Sequence, residues 1–387
     1  MRLGVFRKPI TAFHLLLRRL SSMLDYIIWI LFDPSKFKII KNRKIKNILV
    51  VLINQELGNV GGDFVTLGVL SYFKQIYPDV KVSVLSDKRT ISQFDNFPNI
   101  DFIEYKDKQT IHQIRDMDFQ ALISMNLGSA NIKDFLFIPY RISKTASSTK
   151  NLLKFRNRFL FTRKIFNCSI HMVDLRFKLL EKLGFRFKNK RLIFYYSKGD
   201  EKKVTKFLKN KKIKKYIIIH PGGKYVVDIF KQGKVPPHLW SLERYAKVAD
   251  YFLDKGYKIL ITGSKSESIL AKEIIRYSKN KKNIMDTCGK FSLRELGVLL
   301  KKSKLLIATD TSIVHIAYQL DIPIVELMGP SLPEIVGAWP TNKNTHKILV
   351  DKGRCSRTMR KKACPENIPC LNNITINQVI NASEKLL

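Results

Sequence analysis

A chain of 387 residues with 45% hydrophobic content can bury two globular cores and is too apolar to be a disordered chain. Its 70 Lys+Arg against 32 Asp+Glu, a formal net of +38, predict attraction to anionic partners such as lipid headgroups or polyanionic substrates. Nucleic acid is set aside as a partner, because the lysines are spread along the whole chain and no basic helix with interleaved aromatics occurs.

The first stretch, FHLLLRRLSSMLDYIIWILFD from Phe13 to Asp33, is apolar but interrupted by Arg18, Arg19 and Asp25, which makes it a poor bilayer span. Arg2, Arg7 and Lys8 precede it and Lys36 to Lys46 follow. That flanking pattern predicts an amphipathic helix lying in an anionic membrane interface. An extra helix packed on the body of the protein is the alternative.

From Asn47 the pattern becomes an alternation of strands and helices. NILVVLI (Asn47–Ile53) is a strand, GNVGGD a glycine turn, and FVTLGVLSYFKQIYP a helix up to Pro78. KVSVLS, FIEY and FQALISM follow as strands, and HMVDLRFKLLEKLG (His171–Gly184) is an amphipathic helix with a glycine stop. A Lys-rich, weakly patterned region (about 186–214) then separates the two halves. Beyond it YIIIHPGG restarts the alternation, with LERYAKVADYFLDKG, SESILAKEIIRYSK, SLRELGVLLKKS and TSIVHIAYQL as helices. YKILITGS, KLLIATD and IPIVELMG are the strands between and after them. Such alternation implies parallel sheets with helices on both faces. The expected fold class is therefore α/β, with two doubly wound Rossmann-like domains facing across a cleft. The expected boundaries are an N-terminal extension at 1–46, a first domain at 47–195, a linker at 196–214 and a second domain at 215–387.

In open α/β sheets, ligands bind beyond the carboxyl ends of strands, where turns start the helices. Three polar turns occupy such places: Gly61-Gly62-Asp63, His220-Pro221-Gly222-Gly223, and Asp310-Thr311-Ser312. A helix start offers free N–H groups and partial positive charge, which suit a phosphate. The turn at Asp310 adds two hydroxyls, and His315 lies at i+4 from Thr311, on the same helix face. The pattern fits a diphosphate site. It equally fits an ordinary N-cap, since Asp, Thr and Ser are preferred there. Gly222 and Gly223 permit close backbone approach to a ligand. Asp63 reads either as a general base at the cleft edge or as a first-turn acid stabilising the helix dipole. Asp116-Met-Asp118 precedes a strand rather than ending one, so it is rejected as a metal site. Cys355, Cys364 and Cys370 are too widely and irregularly spaced for zinc. Five cysteines, an odd number without a dense framework, and no evident cleavable signal predict a reducing cytoplasm.

Taken together, these turns resemble glycosyltransferase family 9, which includes the lipopolysaccharide heptosyltransferases. The resemblance runs through KNILVVLINQELGNVGGDFVTLGVLSYFKQIYP, HMVDLRFKLLEKLG, IIIHPGG, LWSLERYAKVADYFLDKGYKILITGSKSE and CGKFSLRELGVLLKKSKLLIATDTSIVHIAYQLDIPIVELMGP. It extends to the Cys-spaced tail CSRTMRKKACPENIPCLNNITINQVINA, and so covers about 47–387 in order. The resemblance implies a GT-B fold and metal-independent, inverting sugar transfer. The donor would be a nucleotide-diphosphate sugar, ADP-heptose being usual. The acceptor would be a lipid-linked lipopolysaccharide core or related glycan.

Residue by residue, the resemblance makes Asp63 the base on the acceptor hydroxyl, with Gly61 and Gly62 on the acceptor side. It makes Asp310, Thr311, Ser312 and His315 the donor turn, and Gly222 and Gly223 the first diphosphate loop. Glu267, in GSKSE, is expected near the donor ribose. His238 stands where the family carries a Lys or Arg, two residues before Trp240. Lys224, Lys231 and Lys234 are then candidates for the phosphate-binding cation. Ser312 stands where glycine is usual. The expected enzyme is a monomer at the cytoplasmic face of the bacterial inner membrane, with no cofactor. Its rivals are a GT-B sugar-nucleotide epimerase and a non-catalytic polyanion- or membrane-binding protein on a degenerate transferase scaffold.

Overall fold

Six short runs in each half of the chain form a six-stranded, wholly parallel sheet. The first sheet holds β1 (Asn47–Val51), β2 (Lys81–Ser86), β3 (Asp101–Glu104), β4 (Ala121–Ser124), β5 (Tyr140–Thr145) and β6 (Arg163–Phe166), in the order β3-β2-β1-β4-β5-β6. The second holds β7 (Tyr216–His220), β8 (Lys258–Ile261), β9 (Ile284–Asp286), β10 (Leu305–Thr309), β11 (Ile324–Met328) and β12 (His346–Val350), in the order β12-β11-β10-β7-β8-β9. Both are the doubly wound order, in which the chain reverses direction between the two central strands. β7, β10 and β11 are buried throughout, as near-continuous apolar strands covered on both faces must be. The computed structural model describes residues 45–53, 60–94, 97–125, 132–145, 163–166, 170–236, 238–329, 331–340, 344–351 and 371–387. The N-terminal helix expected before residue 45 and the cysteines other than Cys288 lie outside the described residues.

Around the first sheet pack α1 (Val60–Ile76), α2 (Lys88–Phe94), α3 (Lys108–Arg115) and α4 (Met172–Lys182). Around the second lie α6 (Lys224–Phe230), α7 (Leu242–Asp254), α8 (Ser268–Tyr277), α9 (Leu293–Lys301), α10 (Ser312–Gln319), α11 (Pro333–Val336) and α12 (Ile376–Glu384). Between the two sets, within the residues expected as a linker, runs another helix, α5 (Lys198–Asn210). Ser197 and Asp200 close a capping box at its start, and Val204 and Leu208 bury its inner face. Its lysines hid this: they are the solvated face of an amphipathic helix that packs on α9. β5, β6, β9 and β12 were also not anticipated, being short or weakly apolar.

The cores explain how the halves join. One apolar cluster runs through both domains, combining Phe64, Leu67 and Phe177 of the first with Leu299, Ile313 and Ile316 of the second. Two further clusters fill the outer faces, one in each domain. The connecting chain contributes directly: Phe194 stacks on Phe64 at 5.4 Å and covers Gly297 of α9. A Cβ at Gly297 would stand 2.2 Å from Phe194 Cε1, so Gly297→Ala must displace that ring. The expected cost is about 1–3 kcal/mol, read as a lower denaturant midpoint at unchanged m-value. On the far side, the buried Trp240 indole donates to Ile374 O at 2.9 Å, tying the C-terminal segment and α12 onto α7.

Candidate functional site

The chain reversal in the second sheet lies between β7 and β10, and two of the polar turns leave from its carboxyl edge. His220 ends β7 opposite Ala308 of β10, and the Thr309 hydroxyl donates to Pro221 O at 3.4 Å. The turns His220–Gly223 and Asp310–Ser312 are therefore neighbours across one strand gap. Gly223 and Thr311 are the N-cap residues of α6 and α10, and neither supplies a side-chain cap. α8 and α11 also lack one, whereas α3, α4, α5, α7, α9 and α12 are capped by Asp107, His171, Ser197, Ser241, Ser292 and Thr375. The two helices that begin at the cleft thus keep first-turn N–H groups free of a side-chain cap, as an anion-binding end requires.

Helix α1 brings the third turn to the same place. Gly61, Gly62 and Asp63 are not a turn, as the sequence suggests, but the first turn of α1 itself. Gly61 is there for close approach. A Cβ on it would lie 2.5 Å from His315 Cδ2 and 3.1 Å from Ser312 Cα, both in the other domain. Gly68, two turns on, faces Gln319 of α10 in the same way. The bare faces of these glycines let α1 and α10 pack across the domain boundary, and Asp63, 4% exposed, lies in the same first turn of α1 as Gly61.

A residue not singled out from the sequence organises this corner. Arg176 of α4 is buried; its Nη2 donates to Gly62 O at 2.9 Å, its Nε to Thr66 Oγ1 at 2.7 Å, and its Nη1 to Met172 O at 2.6 Å. Burial pulls its pKa down to about 10, partly offset by attraction from Tyr318 and Asp63. It therefore remains a cation at neutral pH, held beside the Asp63 carboxyl. The available signal was a charged residue on the apolar face of α4, at i−4 from the buried Leu180 and i+3 from the buried Val173.

The remaining expected site residues group unevenly. Glu267 is buried next to the β7 turn: its Oε2 accepts the Ser264 N–H at 2.7 Å and its Oε1 lies 3.9 Å from His220 Nε2. His220 Nδ1 meets Thr262 Oγ1 at 3.0 Å. Lys224 opens α6 immediately after Gly223, while Lys231 and Lys234 lie at and beyond the end of that helix. His238 sits in the loop before α7, two positions ahead of Trp240. Asp116 and Asp118 lie in the turn that enters β4, at the sheet edge away from these turns.

Two buried histidines carry a pH prediction. Burial lowers the pKa of His171, against the pull of its bond to Gly337 O, and lowers that of His220, against the pull of Glu267. His171 Nδ1 accepts the Val173 N–H, so its proton sits on Nε2, donated to Gly337 O at 3.0 Å. Both rings are neutral in the fold, whereas an unfolded histidine takes up a proton below about pH 6.5. Their stabilisation is complete above that value and is lost as pH falls toward the depressed folded values. His171→Gln is expected to show a smaller drop in Tm between pH 7.5 and 5 than the unsubstituted protein.

Comparisons with known proteins agree on one family. The model for glycosyltransferase family 9 (heptosyltransferase) matches residues 108–368. Lipopolysaccharide heptosyltransferase 3 of Escherichia coli (strain K12) is 24% identical over 341 residues, covering 84% of this chain and 95% of its own length. Among solved structures, the glycosyl transferase family 9 protein from Veillonella parvula DSM 2008 superimposes with a TM-score of 0.70 at 22% identity, over 89% of this chain and 98% of that one. The E. coli ADP-heptose lps heptosyltransferase II superimposes with a TM-score of 0.65 at 17% identity, over 88% and 98% of the two chains.

Proposed function

Since the chain belongs to glycosyltransferase family 9 and is a glycosyltransferase of GT-B fold, we propose that it transfers a heptose from an ADP-linked donor to a lipid-linked lipopolysaccharide-core type of acceptor, with inversion and without a metal. The observation that carries this reading is the packing of Gly61 against Ser312 and His315, which brings the first turn of α1, the turn that contains Asp63, against the start of α10 in the other domain. Residues 47–195 form the acceptor side and 215–387 the donor side.

In this reading the diphosphate sits against the uncapped starts of α6 and α10, where Gly222 and Gly223 let the backbone come close and Thr311, Ser312 and Lys224 add hydroxyls and a cation. As the bond from the anomeric carbon to the diphosphate breaks, negative charge grows on the departing phosphate oxygen. Fixed N–H dipoles aimed at that oxygen stabilise it without reorganising. The acceptor oxygen bonds to the anomeric carbon from the opposite face, and its proton passes to Asp63. Arg176 keeps a positive charge against that carboxylate and holds the start of α1 in place. Glu267 takes the donor ribose and His315 stands behind the phosphates. The strongly basic chain and its N-terminal amphipathic segment would favour an anionic membrane surface, where such acceptors reside.

Titration of purified protein with ADP-, GDP- and UDP-sugars tests the donor side. ADP-heptose is expected to bind at least about tenfold more tightly than the other two, a difference of about 1.4 kcal/mol. Transfer should require the acceptor, with negligible turnover of donor alone. Equal affinity for all three bases would remove the assigned donor. Conversion of donor without acceptor would point to an epimerase instead.

A further inference from the structure

Glu326 is the one acidic residue in the apolar run IPIVELMG, and it sits in the middle of β11. Its neighbours across the sheet are Ala308 of β10 and Ile348 of β12, and its side chain is fully shielded from water. An ionised carboxylate in that position would lose its hydration with a single N–H as compensation. That N–H belongs to Ala338 and reaches Glu326 Oε2 at 2.7 Å. The other oxygen, Oε1, is buried without a hydrogen bond among the described residues. Such a group is costly where a leucine would pack.

Resting on the transfer reaction proposed above, we infer that Glu326 is a positioning residue for that reaction: from inside the second sheet it anchors the 337–339 loop that holds α4, and through α4 the Asp63 helix, in register with the donor-side turns.

Three consecutive residues of that loop are gripped alternately by the two domains. Gly337 O accepts the His171 Nε2–H at 3.0 Å, Ala338 N–H goes to Glu326, and the Trp339 indole donates to Asp174 Oδ2 at 3.2 Å. His171 and Asp174 belong to the N-cap and first turn of α4. On the same helix, Arg176 reaches Gly62 O and Thr66 Oγ1, on either side of Asp63. The sequence of contacts therefore runs from Glu326 through the loop, α4 and Arg176 to the start of α1. Ala338 is itself buried in the shared core, and a Cβ on Gly337 would meet Pro333 O at 2.9 Å, so the loop has little room to settle elsewhere.

The charge state of Glu326 suits this role. Burial raises its pKa well above the usual carboxylate range, repulsion from Asp310 adds to that, and the Ala338 N–H opposes it only in part. The groups facing it are Asp310, at the end of β10, and Tyr318, on α10; Tyr318 in turn faces Arg176. A neutral acid accepts the Ala338 N–H without placing a second negative charge beside the turn assigned to the diphosphate. A glutamine would do the same, and a leucine would not.

Two variants at Glu326 and one at Trp339 test this in the full-length protein, with ADP as the binding probe. In Glu326→Leu, kcat is expected to fall about tenfold or more through loss of register, with ADP affinity within about twofold of the parent protein. Glu326→Gln should recover kcat to within about threefold, because its amide oxygen still accepts the Ala338 N–H. Trp339→Phe, which removes the indole bond to Asp174 but keeps an aromatic ring against the core and the His171–Gly337 bond, should lower kcat in the same direction as Glu326→Leu.

Amide exchange supplies a readout that needs no substrate. Exchange in residues 337–339 and in the first turn of α1 should quicken in Glu326→Leu and Trp339→Phe, but not in Glu326→Gln. The inference is overturned by parental kcat in Glu326→Leu, by a Gln variant as impaired as Leu, by parallel loss of ADP affinity, or by unchanged exchange in α1. Should the parent protein bind ADP but transfer nothing, the functional reading fails and the exchange pattern still decides whether Glu326 couples the two domains.

Discussion

Asp63→Asn is expected to lower kcat by about two to four orders of magnitude, the range for loss of a positioned general base. Asparagine keeps the size and much of the polarity of the side chain but takes up no proton, so the effect isolates proton transfer from the acceptor. The substitution should leave the proposed donor site untouched, because Asp63 lies on α1 and the turns proposed for the diphosphate lie in the second domain. ADP affinity is therefore expected to stay within about twofold. Arg176 would still be held by Thr66, Met172 and Gly62, so the start of α1 keeps its anchor. Single-turnover kinetics with donor and acceptor saturating is the measurement. A variant that turns over at the parental rate would mean that Asp63 only stabilises the helix start.

Gly61→Val should be nearly as damaging, for a different reason. The first carbon of any side chain at this position would stand 2.5 Å from His315 Cδ2, well inside contact distance. His315 is buried, and the next obstacle, Ser312 Cα at 3.1 Å, is backbone. α1 and α10 must then separate, at the contact between the first turn of α1 and the turn proposed for the donor. A displacement of about 1 Å between such groups can cost about a hundredfold in rate. Overpacking of the shared core adds a stability loss of about 1–3 kcal/mol. Unlike Asp63→Asn, this variant should lower both stability and kcat, while Gly68→Ala, which meets the ends of the Gln319 and Leu192 side chains and no backbone, should be milder. Parental kcat in Gly61→Val would mean that this contact is not made during turnover.

These two residues differ in how visible they are in the amino-acid sequence. Asp63 stands out as an acid after two glycines at a helix start, a place that suits a general base and equally a first-turn acid on the helix dipole. Gly61 also stands out, but for the wrong reason: next to a second glycine it suggests a turn, and it is a helical residue bare on the side that meets another domain. Arg176 and Glu326 were legible only as oddities, a cation on the apolar face of α4 and an acid inside an apolar strand. Neither pattern says what the group touches. The helix α5 was obscured because its lysines dominate its composition, although its buried positions, Val204 and Leu208, keep helical spacing. β5 and β6 follow weakly apolar sequence, and their place at one edge of the sheet is set by pairing of β5 with β4 and of β6 with β5 rather than by a pattern of their own.

The alternation of short β-branched runs with amphipathic helices, and the placing of glycine, histidine and hydroxyl residues directly after those runs, were determined by sequence alone. Periodicity and turn chemistry are local, and a parallel sheet leaves each strand end only one edge on which to present its turn. What only the tertiary structure decided is which distant residues meet: Gly61 with His315, Arg176 with Gly62, Glu326 with Ala338, and the 337–339 loop with α4. Such meetings depend on how the two sheets dock, and a docking geometry leaves no repeat in the chain from which to read it.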